Sequence, residues 1–156
     1  MIDVTVPGFG ALHLRFAVLD FNGTLACAGA LMEGVPDRLR ALARQLDLHV
    51  VTADTFGTAR QTLAELPVTV TVLGPERQAD AKAEYVRRLG ADGVVAIGNG
   101  RNDRLMLREA ALSIAVLGAE GAAAETLAAA QLVCPQIAAA LDLLLFPQRL
   151  SASLRG

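Results

Sequence analysis

Lysine is almost absent from this chain. Of its 14 basic residues 13 are arginine, and Lys82 is the only lysine. Arginine and lysine differ in shape and hydration, so a tight site can require an ammonium where a guanidinium does not fit. A single lysine can also fall anywhere by chance. Whether Lys82 is functional or incidental therefore depends on where it lies relative to the other polar motifs.

Cysteine frameworks, net positive charge and long apolar runs are also missing. Cys27 and Cys134 do not form a disulfide framework, and no spacing of cysteine and histidine suits zinc, so a reducing, cytoplasmic setting is expected. A net charge of −2 argues against a nucleic-acid surface. Apolar runs such as residues 143–146 are far too short to span a membrane, and the first residues lack a signal-peptide pattern, so we expect no membrane partner.

The stretch from Asp20 to Thr24 is the first candidate site. It follows a run of apolar residues, 16–19, typical of a strand buried on both faces, so Asp20 is expected where a central strand ends. Ligands bind at that edge in open α/β sheets, and a carboxylate there can act as a nucleophile toward phosphorus. Gly23 permits a sharp turn, and Thr24 offers a hydroxyl and an N–H to a phosphate. The alternative is an acidic turn after a strand.

Apolar periodicity divides the chain into alternating strands and helices. This periodicity predicts a β-hairpin over residues 1–15 and the core over residues 16–146. Residues 147–156 are expected to form a polar, loosely held tail. Core strands are expected at 16–19, 48–52, 68–73, 94–98, 112–117 and 131–134. Helices are expected at 36–46, 78–89, 121–130 and 135–146, with two more ending near 66 and 111. This alternation over 156 residues predicts one α/β domain with a doubly wound, mostly parallel sheet.

The polar motifs are expected to meet at one edge of that sheet. The strand ends at Asp20, Thr52 and Gly98 share an edge, and Lys82, near the start of its helix, can lie over it. Asp103 follows the strand that ends at Gly98. A nucleophile, a hydroxyl, an ammonium and a carboxylate then come from four separate segments, which favours a functional site.

These four segments, in this order, resemble the haloacid dehalogenase superfamily of phosphoryl-transfer enzymes, and most of all the phosphorylation domain of P-type cation ATPases. D-F-N-G-T-L at 20–25 is similar to their D-K-T-G-T-L. T-A-D-T at 52–55, with Thr58 and Ala59, is similar to T-G-D-N…T-A. G-N-G-R-N-D at 98–103 is similar to G-D-G-x-N-D. The resemblance covers about residues 16–146 and is specific as a joint pattern.

The resemblance implies a Mg²⁺-dependent phosphoryl-transfer enzyme, a phosphohydrolase acting through an aspartyl-phosphate. It implies catalytic roles for Asp20, Asn22, Thr52 and Lys82; phosphate binding by Gly23, Thr24, Thr52, Ala53, Lys82 and Asn102; and metal binding by Asp20, Asn22, Asn99 and Asp103. The segments 25–35 and 73–80 are too short for the cap insertions of many family phosphatases. The expected form is a free-standing HAD-like domain without a cap.

Two positions depart from the family's pattern. Asn22 stands where typical phosphatases have an aspartate that protonates the leaving group and activates water, and an amide does neither. Asn99 replaces an aspartate that commonly binds Mg²⁺, so the affinity for the metal should fall. We therefore expect slow hydrolysis. The alternatives are a non-catalytic module that binds phosphate or Mg²⁺ and, less favoured, a structural partner of another protein.

Further expectations concern partners and single residues. The substrate is expected to be a phosphorylated small molecule or a phosphoprotein. An open edge and the apolar residues Leu143, Leu144, Leu145 and Phe146 suggest a homo-oligomer.

Asp54 is expected to cap the helix that follows it, and His13 and His49 are expected to be strand residues rather than ligands.

Overall fold

The computed structural model describes residues 1–54 and 57–156. The strands are β1 (Ile2–Val6), β2 (Gly10–Leu14), β3 (Phe16–Leu19), β4 (Ala26–Cys27), β5 (Ala30–Leu31), β6 (Asp47–Thr52), β7 (Thr69–Val72), β8 (Val94–Gly98), β9 (Leu112–Val116) and β10 (Leu132–Cys134). The α-helices are α1 (Val35–Leu42), α2 (Thr58–Thr62), α3 (Gln78–Leu89), α4 (Arg104–Glu109), α5 (Ala124–Ala129), α6 (Ile137–Leu145) and α7 (Pro147–Leu154). Short 3₁₀ turns cover Ala91–Gly93 and Arg101–Asp103.

A parallel sheet of six strands organises the molecule, in the order β10-β9-β8-β3-β6-β7. The central strand β3 pairs with β6 on one side and β8 on the other, so that Leu19 lies opposite both Val50 and Ile97. The chain winds outward in one direction from β3 through β6 and β7, and in the other through β8, β9 and β10. The point where the strand order reverses is where open α/β sheets bind ligands, and β3 ends there.

Both faces of the sheet are covered, which explains the continuous apolar runs of its central strands. One apolar cluster contains side chains of α1, α2, α6 and the β1–β2 hairpin, and the other contains side chains of α3 and α4. Every residue of β8 and β9 is buried. The predicted α/β class and the N-terminal hairpin, in which β1 and β2 run antiparallel, are confirmed.

The C-terminal segment differs from the prediction. Residues 147–156 were expected to be a loosely held tail, but residues 147–154 form α7, which lies against β1. Leu150 is completely buried, and Leu154, one helical turn later, packs on the same apolar cluster. The Gly156 N–H donates to the Pro7 carbonyl at 3.2 Å. The mostly polar composition of this segment concealed a short amphipathic helix.

The segment after the first motif also contains structure that the sequence analysis did not predict. β4 and β5 form a small antiparallel hairpin between β3 and α1. Its turn has two successive residues with positive φ, Ala28 at 50° and Gly29 at 81°, as a tight two-residue hairpin turn requires. In the described residues this hairpin is the whole of the insertion at that point, as expected for a domain without a cap.

No single helix in the described part of the chain is long and apolar enough to cross a membrane. α6 and α7 reach that length and hydropathy only when joined, and they are bent by 105° to each other. Leu144 is fully buried, and Leu143 and Leu145 pack against the core. Only Phe146 of this apolar run is strongly exposed, at 47%, and the Arg149 guanidinium lies 4.6 Å from its ring centre. Homo-oligomerisation stays a prediction.

Candidate active site

Asp20 lies immediately after β3, at the carboxyl edge of the sheet. Its backbone N–H donates to the Ile97 carbonyl at 3.0 Å, which holds the residue in line with the neighbouring strand β8. The residue is only 6% exposed. A buried carboxylate needs a charged or hydrogen-bonding partner, because burial without one is costly. Its side-chain partners are Lys82, which is 62 residues away in the sequence, and the nearby Thr24.

Lys82 is the main partner of Asp20. It is completely buried on α3, and its Nζ donates to Asp20 Oδ1 and to Asp103 Oδ1, each at 2.6 Å. Burial by itself would lower the pKa of Lys82, but the charges and hydrogen bonds of the two carboxylates outweigh it, and the net effect is a raised pKa. The ammonium is therefore fixed between two carboxylates at the carboxyl edge of the sheet.

Asp103 holds the opposite side of the ammonium. Its Oδ2 accepts the backbone N–H groups of Asn99, at 3.0 Å, and Gly100, at 2.9 Å. A Cβ at Gly98 would overlap this carboxyl group, so the end of β8 requires glycine for space. Burial and the charge of Asp20 raise the pKa of Asp103 to about 6, against the lowering effect of Lys82.

Thr24 and Asn99 line the other side of Asp20. The Thr24 hydroxyl lies within hydrogen-bond distance of Asp20 Oδ2, at 3.2 Å, and of Asn99 Oδ1, at 3.1 Å. Asn99 Nδ2 donates to the Gly121 carbonyl at 3.0 Å, which fixes the orientation of the amide and turns its oxygen toward Thr24. Two oxygens, one charged and one neutral, thus flank a single hydroxyl.

The loop from Phe21 to Ala26 folds back on itself. Gly23 has a φ of 79°, and its N–H donates to the Ala26 carbonyl at 2.8 Å. The Thr24 N–H donates to the Phe21 carbonyl at 3.2 Å. Both N–H groups and the Thr24 hydroxyl were predicted to bind phosphate, but in this structure they hold the loop together. The Asn22 side chain, by contrast, is exposed at the rim.

The second motif lies at the end of β6. Thr52 is buried, and its hydroxyl oxygen accepts the Asp54 N–H at 3.2 Å, an interaction that does not use its O–H donor. Ala53 follows and is half-buried. Asp54 accepts the N–H groups of Thr58, at 3.0 Å, and Ala59, at 3.1 Å, which confirms it as the cap of α2. Thr55, which the sequence analysis placed in the same motif, lies outside the described residues.

Two residues near the site were missed by the sequence analysis. Gln78, one helical turn before Lys82 on α3, accepts a hydrogen bond from Asn102 Nδ2 at 2.9 Å. The i, i+4 spacing from Lys82 was a signal for it. Glu120 belongs to the loop after β9, and its Oε2 and Asn99 Nδ2 would both be overlapped by a Cβ at Gly23. No motif pointed to Glu120.

The residues present fit a hard divalent cation. Asp20 and Asp103 supply carboxylates and Asn99 supplies an amide oxygen, and Mg²⁺ prefers oxygen ligands of this kind while keeping several waters. Within residues 1–54 and 57–156, no group of three or more His, Cys, Asp or Glu side chains is placed to hold a metal. A cation here would therefore depend on carbonyl oxygens and water as well as on carboxylates.

His13 and His49 are strand residues, as expected. His13 Nδ1 lies 2.6 Å from Asp3 Oδ1 across the β1–β2 hairpin. His49 Nδ1 lies 2.8 Å from the Tyr85 hydroxyl, and burial lowers the pKa of His49. Both rings have structural partners on neighbouring elements.

Sequence comparison identifies two relatives. No protein-family model matches the chain. One uncharacterised protein of Methanocaldococcus jannaschii is 48% identical over 62 residues, which is 40% of this chain and 67% of the relative. A second uncharacterised protein of the same organism is 42% identical over 38 residues, which is 24% of this chain and 86% of the relative.

Solved structures with the same fold include phosphatases and hydrolases. The cobalt-bound deoxy-D-mannose-octulosonate 8-phosphate phosphatase of Haemophilus influenzae is similar with a TM-score of 0.72 at 17% identity, over 90% of this chain and 92% of that chain. The 3-deoxy-D-manno-octulosonate 8-phosphate phosphatase of Moraxella catarrhalis, in complex with magnesium ion, phosphate ion and KDO, is similar with a TM-score of 0.72 at 18% identity. The match covers 90% of this chain and 93% of that chain. A haloacid dehalogenase-like hydrolase of Streptococcus pneumoniae is similar with a TM-score of 0.64 at 14% identity, and the match covers 83% of this chain and 98% of that chain.

These likenesses confirm the superfamily resemblance at the level of the fold, while the narrower likeness to P-type ATPases stays a prediction. The chain belongs to the same family as the two archaeal proteins, and it has the haloacid dehalogenase-like fold.

Proposed function

We propose that the chain is a divalent-metal-dependent phosphohydrolase that uses Asp20 as its nucleophile. The observation that carries this proposal is the buried Lys82 ammonium, 2.6 Å from both Asp20 and Asp103. A structural core has little use for three buried charges, because their desolvation is expensive. Phosphoryl transfer, in contrast, depends on positioned positive charge beside a nucleophilic carboxylate.

The phosphoryl group is proposed to bind above Asp20. Lys82 offers positive charge, and the Thr52 hydroxyl offers a donor at the next strand end. No hydrogen bond among the described residues uses the N–H groups of Phe21 and Asn22, so we propose these two as phosphate donors in place of the N–H groups of Gly23 and Thr24, which hold the loop. Asn102 is proposed to exchange its hydrogen bond to Gln78 for one to a phosphate oxygen.

The Mg²⁺ would be held by the Asp20 carboxylate, the Asn22 carbonyl, the Asn99 amide oxygen and Asp103. When bound, it supplies positive charge next to the transferring group. Asp20 Oδ2 and Asn99 Oδ1 both lie within hydrogen-bond distance of the Thr24 hydroxyl, at 3.2 Å and 3.1 Å, so one side chain holds two of the proposed ligands in the same part of the site.

The proposed reaction has two steps. An Asp20 oxygen attacks phosphorus, a P–O bond to Asp20 forms, and the P–O bond to the leaving group breaks. Water then attacks the phosphorus of the aspartyl-phosphate, which releases inorganic phosphate, returns the Asp20 carboxylate and gives one proton to solvent. Asn22 cannot donate a proton in the first step or accept one in the second, so both steps lack general acid–base help, which is worth about 10²–10⁴-fold.

The substrate class proposed is a phosphate ester or acyl phosphate, on a phosphorylated small molecule or a phosphoprotein. The structurally similar octulosonate 8-phosphate phosphatases act on a phosphorylated sugar acid, which makes such compounds the first candidates to test. An edge without a cap also admits a macromolecular substrate. We also propose a cytoplasmic location and a homo-oligomeric state. Because Leu143, Leu144 and Leu145 belong to the core, the second proposal rests on the open edge of the sheet and the exposed Phe146.

The test is a Mg²⁺-dependent screen of phosphorylated metabolites, sugar-acid phosphates and acetyl phosphate, with wild type and Asp20→Asn side by side. We expect slow phosphate release that needs both Mg²⁺ and Asp20. The alternative, a non-catalytic phosphate- or Mg²⁺-binding module, is favoured by the two amides at Asn22 and Asn99. It becomes the better account if the protein binds Mg²⁺ and phosphate but releases no phosphate from any of these compounds.

A further inference from the structure

We propose that Glu120 supplies the negative charge that Asn99 lacks, and so completes the electrostatic balance of the divalent-cation site. This inference rests on the proposed function and concerns the same site. It starts from the contact between the loop after β9 and the first motif. At Gly23 there is no side chain, and the space is taken by Glu120 Oε2 and Asn99 Nδ2, both of which a Cβ there would overlap.

The position of Glu120 is set by hydrogen bonds on both sides of it. Before it, the Gly118 N–H donates to the Pro135 carbonyl at 2.9 Å. After it, Asn99 Nδ2 donates to the Gly121 carbonyl at 3.0 Å, and the Ala123 N–H donates to the Asn99 carbonyl at 3.0 Å. The same asparagine that presents its oxygen toward Thr24 therefore anchors the loop that carries Glu120.

The charges in the site indicate what this carboxylate does. Asp20 and Asp103 each carry one negative charge, and Lys82, which contacts both, carries one positive charge. The net charge of the three is −1, which leaves a divalent cation half compensated. Glu120 adds the second negative charge next to the neutral amide of Asn99, since its Oε2 and Asn99 Nδ2 lie together at Gly23.

The effect is expected to be moderate because Glu120 is exposed. No three carboxylates among the described residues form a ready-made metal cluster, so Glu120 acts through a water of the cation's shell or through its field. For a charge of −1 near a divalent ion at the protein surface, Coulomb's law with a high effective dielectric gives about a threefold to tenfold change in affinity.

The experiment measures Mn²⁺ binding to the intact protein by electron paramagnetic resonance, without substrate. Glu120→Gln should weaken binding about threefold to tenfold, and the difference should shrink as the salt concentration rises. The matched control is Glu65→Gln, which removes the same charge from an exposed site just before β7, at the opposite edge of the sheet, and should leave binding unchanged. Asn99→Asp in the Glu120→Gln background should restore most of the lost affinity.

Two results would overturn the proposal. Wild-type Mn²⁺ affinity in Glu120→Gln would do so, and so would equal losses in Glu120→Gln and Glu65→Gln. A Glu120→Gln variant with unchanged Mn²⁺ affinity but a lower rate at saturating Mg²⁺ would instead assign Glu120 to proton transfer. If wild type binds Mn²⁺ and Glu120→Gln weakens it while neither has phosphatase activity, this inference stands and the proposed function fails.

Discussion

Lys82 Nζ lies 2.6 Å from Asp103 Oδ1, and both side chains are completely buried. A guanidinium is larger and planar, so it cannot occupy the space between Asp103 and Asp20 in the way a compact ammonium does. We expect Lys82→Arg to lower the rate of phosphate release by about 10²–10³-fold, the usual loss when one fixed donor is removed from a transition state.

The control for this substitution is Arg108→Lys, an exchange of the same two residue types at an exposed position on α4. It should leave the rate unchanged. Circular dichroism must show that Lys82→Arg is folded before its rate is interpreted. A folded Lys82→Arg variant with the wild-type rate would show that the single lysine is a coincidence.

Asp20→Asn tests the nucleophile. The amide nearly conserves shape, and Lys82 keeps Asp103 as its partner, so the variant should fold. Phosphate release should fall to the background of a protein-free control, because an amide does not form the phosphorylated intermediate. The complementary measurement is acid-stable ³²P incorporation from acetyl phosphate, expected in wild type and absent in the variant. Undiminished turnover in folded Asp20→Asn would remove Asp20 from its assigned role.

Asn22→Asp should accelerate the reaction. The exposed side chain lies at the rim, where a carboxyl group can protonate a leaving alkoxide and later take a proton from water. Phosphomonoesters need that proton and should gain in both steps. Acyl phosphates have weakly basic leaving groups and should gain mainly in the second. The gain should be below the full 10²–10⁴-fold, because the surrounding loop is not built to hold an acid there.

The measurement for Asn22→Asp is the steady-state rate on both substrate types at saturating Mg²⁺. Asn22→Ala serves as the comparison, since it removes the amide without adding a carboxyl group. A variant that binds Mg²⁺ normally yet is no faster on either substrate would mean that proton transfer does not limit this site. The non-catalytic interpretation would then be preferred.

The pKa of Asp103, raised to about 6 by burial and by the charge of Asp20, predicts how cation binding depends on pH. Below that value Asp103 is protonated and neutral, and the site loses one negative charge. Mn²⁺ affinity should therefore fall as the pH is lowered through about 6. In Asp103→Asn the affinity should be lower throughout and flat across this pH interval. A wild-type affinity that is constant from pH 7 to pH 5 would contradict the prediction.

The pair Arg38–Asp142 links α1 to α6 and provides a test of stability away from the site. Arg38 Nε and Nη2 donate to the two carboxylate oxygens at 2.8 Å and 3.0 Å. The hydrogen bond from Arg38 lowers the pKa of Asp142, so the pair's contribution is present above the unfolded pKa and is lost as the pH falls through the lower folded pKa. Asp142→Asn should reduce the free energy of unfolding by about 0.5–1.5 kcal/mol at pH 7.

Urea unfolding of wild type and Asp142→Asn at pH 7 and at pH 3 measures this dependence. The difference should be smaller at pH 3, which is below the ordinary pKa of an aspartate, because the pair's contribution is lost as the pH falls from the unfolded pKa toward the lower folded pKa. Asp37→Asn is the control, since Asp37 is on the same helix but its pair with Arg40, at 3.3 Å, is exposed. Equal losses in the two variants would show that the contact between α1 and α6 contributes nothing beyond a surface charge.

Much of the fold could be predicted from the sequence because runs and periods of apolar residues are local signals. The apolar run before Asp20 and the one ending at Gly98 identified β3 and β8, and α3 was predicted with its observed bounds. α1 and α4 are shorter than predicted, because their last apolar residues lie in turns rather than in helix. α7 was missed because its stability depends on burying Leu150 against the rest of the protein, which composition does not reveal.

The sequence by itself determined which groups reach the carboxyl edge of the sheet, since a strand's apolar run fixes where its first polar residue emerges. Asp20 and Thr52 followed from that rule, and Asp103 was placed from the motif that follows the end of β8 at Gly98. Only the tertiary structure decided how they pair. Lys82 contacts carboxylates 62 and 21 residues away, and Asn99 is turned by a carbonyl 22 residues later. Such orientations depend on tertiary packing, which brings groups from distant parts of the chain to within 3 Å of each other. The local pattern of apolar and polar residues does not encode them.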